Sequence, residues 1–284
     1  MNQEETHNIS RESKIAVVVS PCSTGYNVAL EIYKRGYDVV ALWSKALNEE
    51  LRADNSAEIF GNIEYLAEIE EGNNLQETKE LLDEIVAAKQ NSIKANGTCA
   101  VAAIAAVLAG AETGVPHADA LSEYLRLRSN GTLPTGEDRR NKYVQQEMVR
   151  KAGLPAVQQV IGSSFTAEID EFLKEQSYPV VVKPNSGAGT EGVKLCYTYR
   201  EAQEHFNSLI NTTSDYAITE QREVLCQEFL RGKEYVVDHA SHDGIHKTCM
   251  VWVYDKEEAN GFEFVCFGMK PVDPTSEEAI ALID

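Results

Sequence analysis

YPVVVKPNSGAGTEGV, residues Tyr178 to Val193, carries more structural information than any other part of the chain. It opens with Val180-Val181-Val182, a short β-branched run of the kind that forms a buried strand. Lys183 follows at once. Asn185, Ser186, Gly187, Gly189, Thr190 and Gly192 then make a glycine-rich loop. Without Cβ atoms such a loop brings backbone N–H groups close to a phosphate, and a lysine adds a point charge suited to a phosphate oxygen. The plain alternative is a strand-to-helix turn with a surface lysine. A phosphate-binding loop of the common kind has its lysine after the glycines, followed by Ser or Thr. Here the lysine comes first. Gly187-Ala188-Gly189 also lacks the spacing of a dinucleotide-binding turn.

The rest of the chain bounds what this segment serves. The 284 residues suffice for about two domains. Lys and Arg number 26 against 45 Asp and Glu, a formal charge of −19. That balance argues against nonspecific binding to nucleic acid or anionic membranes, although a local basic pocket can still hold ATP. MNQEETHNISRES has no apolar core of a secretory signal and reads as a disordered tail. The apolar run from Cys99 to Ala111 is too short and alanine-rich to span a bilayer. It reads as a buried helix, Thr98 to Leu108. The six cysteines form no C-x-x-C pair and read as reduced thiols. These features imply a cytoplasmic protein.

Taken in order, Lys14–Ser20 reads as a buried strand, Tyr26–Arg35 as a helix ended by Gly36, and Tyr37–Trp43 as a second strand. Strand, helix, strand is a βαβ unit and implies a parallel sheet. Its lone Gly25 makes no dinucleotide fingerprint, which disfavours a nicotinamide enzyme. Asn62–Leu66 reads as a strand, and Asn74–Lys89 and Ala118–Leu127 as helices. The turn-rich Ser129–Asp138 is a linker. The expected organisation is a tail over 1–13, a Rossmann-like domain over 14–137 and a second domain over 138–284. In the second domain, helices are expected from Arg139 to Lys151, Phe165 to Glu175 and Arg200 to Leu209. Strands are expected at Ala156–Val160, Val180–Val182, Val193–Tyr197 and Val224–Leu230, then at Glu234–Ala240, Lys247–Tyr254 and Gly261–Met269. Asp243-Gly244 is a hairpin signal. That hairpin denies His239, His242 and His246 the helical spacing a metal site would use. Lys142 opens a helix, where a lysine is unfavourable unless an anion also sits there.

Four segments in order resemble the ATP-grasp superfamily. They are Asn141-Lys142 with a helix ending AGLP, then YPVVVKP, then the glycine flap, then QEFLRGKEYVVD. Together they cover most of Arg139 to Asp238, and the preceding βαβ region is similar to the domain that accompanies this fold. Within the superfamily the chain is most similar to carboxylate–amine ligases that join L-amino acids. RRNKY and EYVVDHASHDGIHKTCMVWVYDK carry that closer likeness.

The resemblance implies an α/β chain, a Rossmann-like parallel-sheet domain followed by an ATP-grasp domain of two α+β subdomains. It implies ATP and Mg²⁺. Lys142 would reach nucleotide phosphate, Lys183 the α-phosphate and adenine region, and Asn185 to Gly192 would close over the phosphates. Glu228, Phe229 and Leu230 would form the adenine hinge, Glu234 would hold the ribose hydroxyls, and Glu112 would lie near the substrate amino group. Adenine needs donor and acceptor edges, and a ribose diol suits a carboxylate. The implied reaction forms an acylphosphate and then an amide or peptide bond between small carboxylate and amine substrates, in a protein that is often a homodimer.

The family's metal-binding acids and catalytic arginine have no match before the sequence stops, and Glu263 and Asp273 do not sit at the matching positions. The expectation is therefore an ATP-grasp domain without its C-terminal part. The alternative is a non-catalytic ATP-binding protein.

Overall fold

The computed structural model describes residues 13–47, 49–52, 56–131, 139–186, 190, 192–211, 223–259 and 262–283. The expected tail, most of the expected linker and the polar segment after Asn211 lie outside these residues, as do Gly187 and Gly189. The chain divides between Asn141 and Lys142 into two compact units.

The first unit runs β1 (Ser13–Val19), α1 (Thr24–Lys34), β2 (Asp38–Trp43), α2 (Glu49–Arg52), α3 (Ser56–Phe60), β3 (Ala67–Glu70), α4 (Leu75–Ala95), β4 (Ala102–Ala109), a 3-10 turn (Glu112–Gly114) and α5 (Val115–Tyr124). Its described strands form one parallel sheet in the order β3-β2-β1-β4. Parallel strands covered on both faces read as continuous apolar runs. Accordingly Ile15–Val19 and Val39–Leu42 are buried without alternation. Ile15, Val17, Val19, Val40 and Leu42 pack with Leu82 of α4 and Leu121 of α5, while Val18 and Val39 pack with Ala29 of α1. Asn74 caps α4 by accepting from the Glu77 N–H at 3.0 Å, and Glu77 accepts from the Asn73 N–H at 2.7 Å. Asn74→Ala is expected to cost about 1 kcal/mol, measured as a shift of the urea midpoint.

Two sequence expectations fail in this unit. The stretch Thr98–Leu108 is not a helix; most of it is β4. Alanine favours helix in isolation, but this segment pairs along its length with β1, from Ser13↔Ala102 to Val19↔Ala109. A tertiary ladder overrides a weak local propensity, and short side chains leave room for the helices alongside. The strand expected at Asn62–Leu66 lies later, at Ala67–Glu70, where it pairs with β2.

The second unit runs α6 (Lys142–Lys151), β5 (Gln159–Gly162), α7 (Ala167–Glu175), β6 (Val180–Pro184), β7 (Lys194–Cys196), α8 (Tyr199–Asn211), β8 (Val224–Glu228), β9 (Tyr235–His242), β10 (Ile245–Ala259), β11 (Phe262–Pro271) and α9 (Glu277–Ile283). The helix expected from Arg139 begins only at Lys142. Arg139 and Arg140 instead bond Asp119 and Glu112, which removes them from the helix start. Among the described strands, β5-β8-β6-β7 make one antiparallel sheet and β11-β10-β9 another. β6 is an inner strand, and Val180 and Val182 point into a core with Ile169, Leu173, Cys226 and Phe206. Phe206 is fully buried and meets Phe165 edge-on at 5.4 Å. Phe206→Ala is expected to cost about 3–5 kcal/mol, read from denaturant unfolding. Asp243 and Gly244 turn the β9–β10 hairpin with φ of 50° and 75°, as a tight primed turn requires. His239 and His246 are exposed on that hairpin, bonded to Thr248 and Ser241. Among the described residues no helix is long and apolar enough to cross a membrane.

Candidate functional site

In the second unit, β6 delivers Lys183 to a cluster of charges. The Lys183 ammonium is largely buried, and burial, reinforced by Lys142 and Lys256 against the opposing pull of Glu234, lowers its pKa to about 8. Two further lysines and one carboxylate therefore act on Lys183 here. Their origins differ: Lys142 begins α6, Lys183 is on β6, Glu234 immediately precedes β9 and Lys256 is on β10. Lys256 donates to Glu234 Oε1 at 2.7 Å and lies 4.2 Å from the centre of the Tyr254 ring. A concentration of positive charge around a buried lysine suits a polyanion, which would supply the counter-charge that the protein withholds.

Lys256 was not among the sequence-derived site residues. It is 22 residues from Glu234, and only the antiparallel pairing of β9 with β10, including Val253↔Tyr235, brings the two together. The signal available in sequence was the Asp243-Gly244 turn, which sets the register from which the juxtaposition follows.

The shifted Lys183 makes a stability prediction. Its proton leaves near pH 8 in the folded chain and near 10.5 in the unfolded one. Between those values the unfolded chain holds more protons, so stability rises with pH. Below pH 8 the buried charge lowers stability by an amount of order 3 kcal/mol at most. Urea titrations from pH 7 to 10 are expected to show wild type gaining on Lys183→Met across this window.

Asn185, read from sequence as part of the flap, is 3% exposed. Its Oδ1 accepts the Tyr143 N–H at 3.0 Å, its Nδ2 donates to Glu223 at 3.0 Å, and its backbone N–H donates to the Glu223 carbonyl at 2.9 Å. Its carbonyl accepts from Lys142 Nζ and from the Lys142 backbone N–H, both at 3.4 Å. Asn185 thus caps α6 from the bend just after β6 and holds Lys142 by the cluster. Asn185→Ala is expected to cost about 1–3 kcal/mol of stability, seen in thermal melts. Ser186 is half-buried. At the far end of the loop, Thr190 and Gly192 have φ of 65° and 69°. A Cβ on Gly192 would lie 3.0 Å from Leu209 and Pro184 side-chain atoms.

β8 ends at Glu228, whose Oε1 accepts the Gln158 N–H at 2.7 Å and whose N–H donates to the Gln158 carbonyl at 3.0 Å. Phe229 packs at 6.2 Å on Phe264 and carries the Arg231 guanidinium at 5.7 Å. Leu230 is 64% exposed. Glu228 is thus fixed while the chain after it presents an aromatic and an apolar side chain. Glu112 belongs to the first unit. Its carboxylate is half-exposed, and Oε1 accepts from the buried Arg140 at 2.9 Å.

Comparison with known proteins gives a consistent family. A model described as phosphoribosylglycinamide synthetase, ATP-grasp (A) domain, matches residues 140–261. Dapdiamide A synthase of Enterobacter agglomerans is 30% identical over 257 residues, 90% of this chain and 55% of that protein. The solved structure of an L-amino acid ligase from Bacillus licheniformis superposes with a TM-score of 0.63 at 16% identity, covering 96% of this chain and 58% of that one. N5-carboxyaminoimidazole synthetase from Staphylococcus aureus, complexed with ADP, gives 0.58 at 16% identity, covering 96% and 63%. Those two likenesses concern the fold. The chain spans 55% of the length of the dapdiamide synthase.

Proposed function

The chain belongs to the ATP-grasp superfamily, and from that premise we propose that it is an ATP-dependent carboxylate–amine ligase acting on small substrates such as amino acids. A substrate carboxylate oxygen attacks the γ-phosphorus of ATP, and ADP departs. The acylphosphate is then attacked by an amine; the C–N bond forms, the C–O bond to phosphate breaks, and the nitrogen loses a proton. What supports the reading is the cluster of Lys142, Lys183, Lys256 and Glu234 in the unit that carries the family match.

In this reading Lys142, Lys183 and Lys256 hold phosphates, and Glu228, Phe229 and Leu230 hold the adenine edge. Glu234 takes the ribose hydroxyls in exchange for Lys256, and Ser186 to Gly192 covers the phosphates. Asn185 acts through Lys142. Glu112 is the acid for a substrate amine, its orientation set by Arg140. The protein's part is chiefly to position the reactants and stabilise charge. Mg²⁺, when bound with ATP, would neutralise charge on the phosphates. Among the described residues no three His, Cys, Asp or Glu side chains gather to hold a metal, so no step is assigned to a protein-bound ion. The reading places the protein in the cytoplasm as a homodimer.

The test is an ADP-release assay with Mg·ATP and pooled amino acids on the 284-residue chain. Release that depends on amino acids is expected. ATP binding without any such release contradicts ligation and leaves nucleotide binding alone.

A further inference from the structure

The ladder of β8 ends at Glu228, whose N–H reaches the Gln158 carbonyl. The chain is next held by its backbone at Glu234, whose carbonyl accepts the Tyr254 N–H at 3.0 Å. Between them, Phe229, Leu230 and Arg231 make no backbone hydrogen bond among the described residues. Their N–H and C=O groups are left for water or a ligand. With no ladder, this stretch depends on side-chain packing for its position.

The packing comes from Phe229. Its ring lies 6.2 Å from that of Phe264, tilted by 45°, and the Arg231 guanidinium is 5.7 Å from its centre. Both distances fall in the range of attractive ring contacts. Both phenylalanines are half-buried, whereas Leu230 is exposed.

Phe264 sits where β11 is irregular. The pairing passes from Glu257↔Val265 to Ala259↔Phe262, so two residues of β11 stand against one of β10. That is a bulge, a device that re-aims a side chain. Within it Phe264 has φ of 61°. Contact between Cβ and the following carbonyl disfavours this region for a bulky residue. Glycine would occupy it freely. Strained positions of this kind gather at functional sites, and here the strained residue carries the ring that meets Phe229.

We propose that Phe264 is a positioning residue for the nucleobase. Packed on Phe229, it sets the backbone over Glu228–Leu230 and thereby contributes to base selectivity, not to phosphate binding. The proposal rests on the reading of this stretch as the adenine hinge. An adenine edge offers a donor beside an acceptor, and free backbone groups match both only when their spacing is fixed. Lys142 and Lys183 stand on α6 and β6, so phosphate contacts do not depend on the ring. A contact that merely covered apolar surface would affect every ligand alike.

The full chain is titrated calorimetrically with ATP, inosine triphosphate and tripolyphosphate, as wild type and as Phe264→Gly, Phe264→Leu and Phe264→Tyr. Glycine accepts the backbone angle and removes the ring; tyrosine keeps the ring. Inosine carries a carbonyl where adenine carries an amino group, so the ratio of the two nucleotide affinities reads the hinge. Phe264→Gly is expected to weaken ATP by about tenfold, to narrow the ratio by about threefold or more and to leave tripolyphosphate within about twofold. Phe264→Tyr is expected to match wild type. Phe264→Leu bears the same expectation as the glycine variant and decides the matter if that variant does not fold. Unchanged ATP affinity, an unchanged ratio, or an equal loss for ATP and tripolyphosphate overturns the proposal and leaves the hinge reading standing. Wild type that binds tripolyphosphate no more weakly than ATP overturns the hinge reading, and the proposal with it.

Discussion

Lys183→Met is expected to weaken ATP binding at pH 7 by about 10- to 100-fold, the loss of one buried charge-assisted contact of about 1.5–3 kcal/mol. The effect is large because Lys183 is held in a desolvated position before any ligand arrives. The free protein bears that cost, and its pKa of about 8 records it. An anionic ligand restores the missing counter-charge, so ATP is expected to bind more tightly where Lys183 is protonated. Wild-type affinity should decline as pH rises through about 8, and Lys183→Met should lose that inflection. Calorimetric titrations at pH 7 and 9 check both points. His242→Ala, on the exposed hairpin, is the control and should leave affinity unchanged. Equal affinity in wild type and Lys183→Met contradicts the assigned pocket.

Gly25→Ala is expected to be the most destabilising single-methyl change in the first unit, costing at least about 3 kcal/mol in a denaturant titration of the full chain. A Cβ at Gly25 would stand 1.9 Å from the Gly110 carbonyl oxygen and 2.4 Å from its carbon. Both are backbone atoms, so no rotamer change relieves the clash; α1 and the end of β4 must separate. Gly110 is equally confined, its added Cβ meeting the Ser20 carbonyl oxygen at 2.6 Å. The comparison is Gly36→Ala, where φ is +83° but nothing lies within 4 Å. There only backbone strain of about 1–2 kcal/mol is at stake. If Gly25→Ala is no more costly than Gly36→Ala, the close approach of α1 to Gly110 is wrong.

Much of this architecture can be read from the residues. Val180–Val182 has the composition of a buried strand and is an inner strand of the antiparallel sheet. Asp243-Gly244 forms the turn its residue types prefer. The helix expected from Arg139 forms from Lys142, and its Tyr143 N–H is capped by a residue 42 positions later. What escaped reading depends on distant partners. The alanine-rich segment has no periodicity to mark a strand, and only its ladder with β1 makes it one. Gly25 reads as an ordinary turn glycine, because its constraint comes from Gly110. Asn185 looks like a loop residue until its bonds to Tyr143 and Glu223 are seen. Lys256 lies in a long strand with no local mark of function. Residue type proposes the chemistry; pairing over long sequence separations decides which groups meet.

The most direct test of the ligase reading follows oxygen. The 284-residue chain is incubated with Mg·ATP and an amino-acid substrate whose carboxylate carries ¹⁸O, and the released phosphate is analysed by mass spectrometry. The account predicts ADP, an amide product and one ¹⁸O atom in each phosphate formed, because the attacking carboxylate oxygen leaves with phosphorus. Amide formation with ¹⁸O-free phosphate, or with label in AMP, contradicts acylphosphate chemistry, and ATP binding with no amide contradicts ligation by this chain.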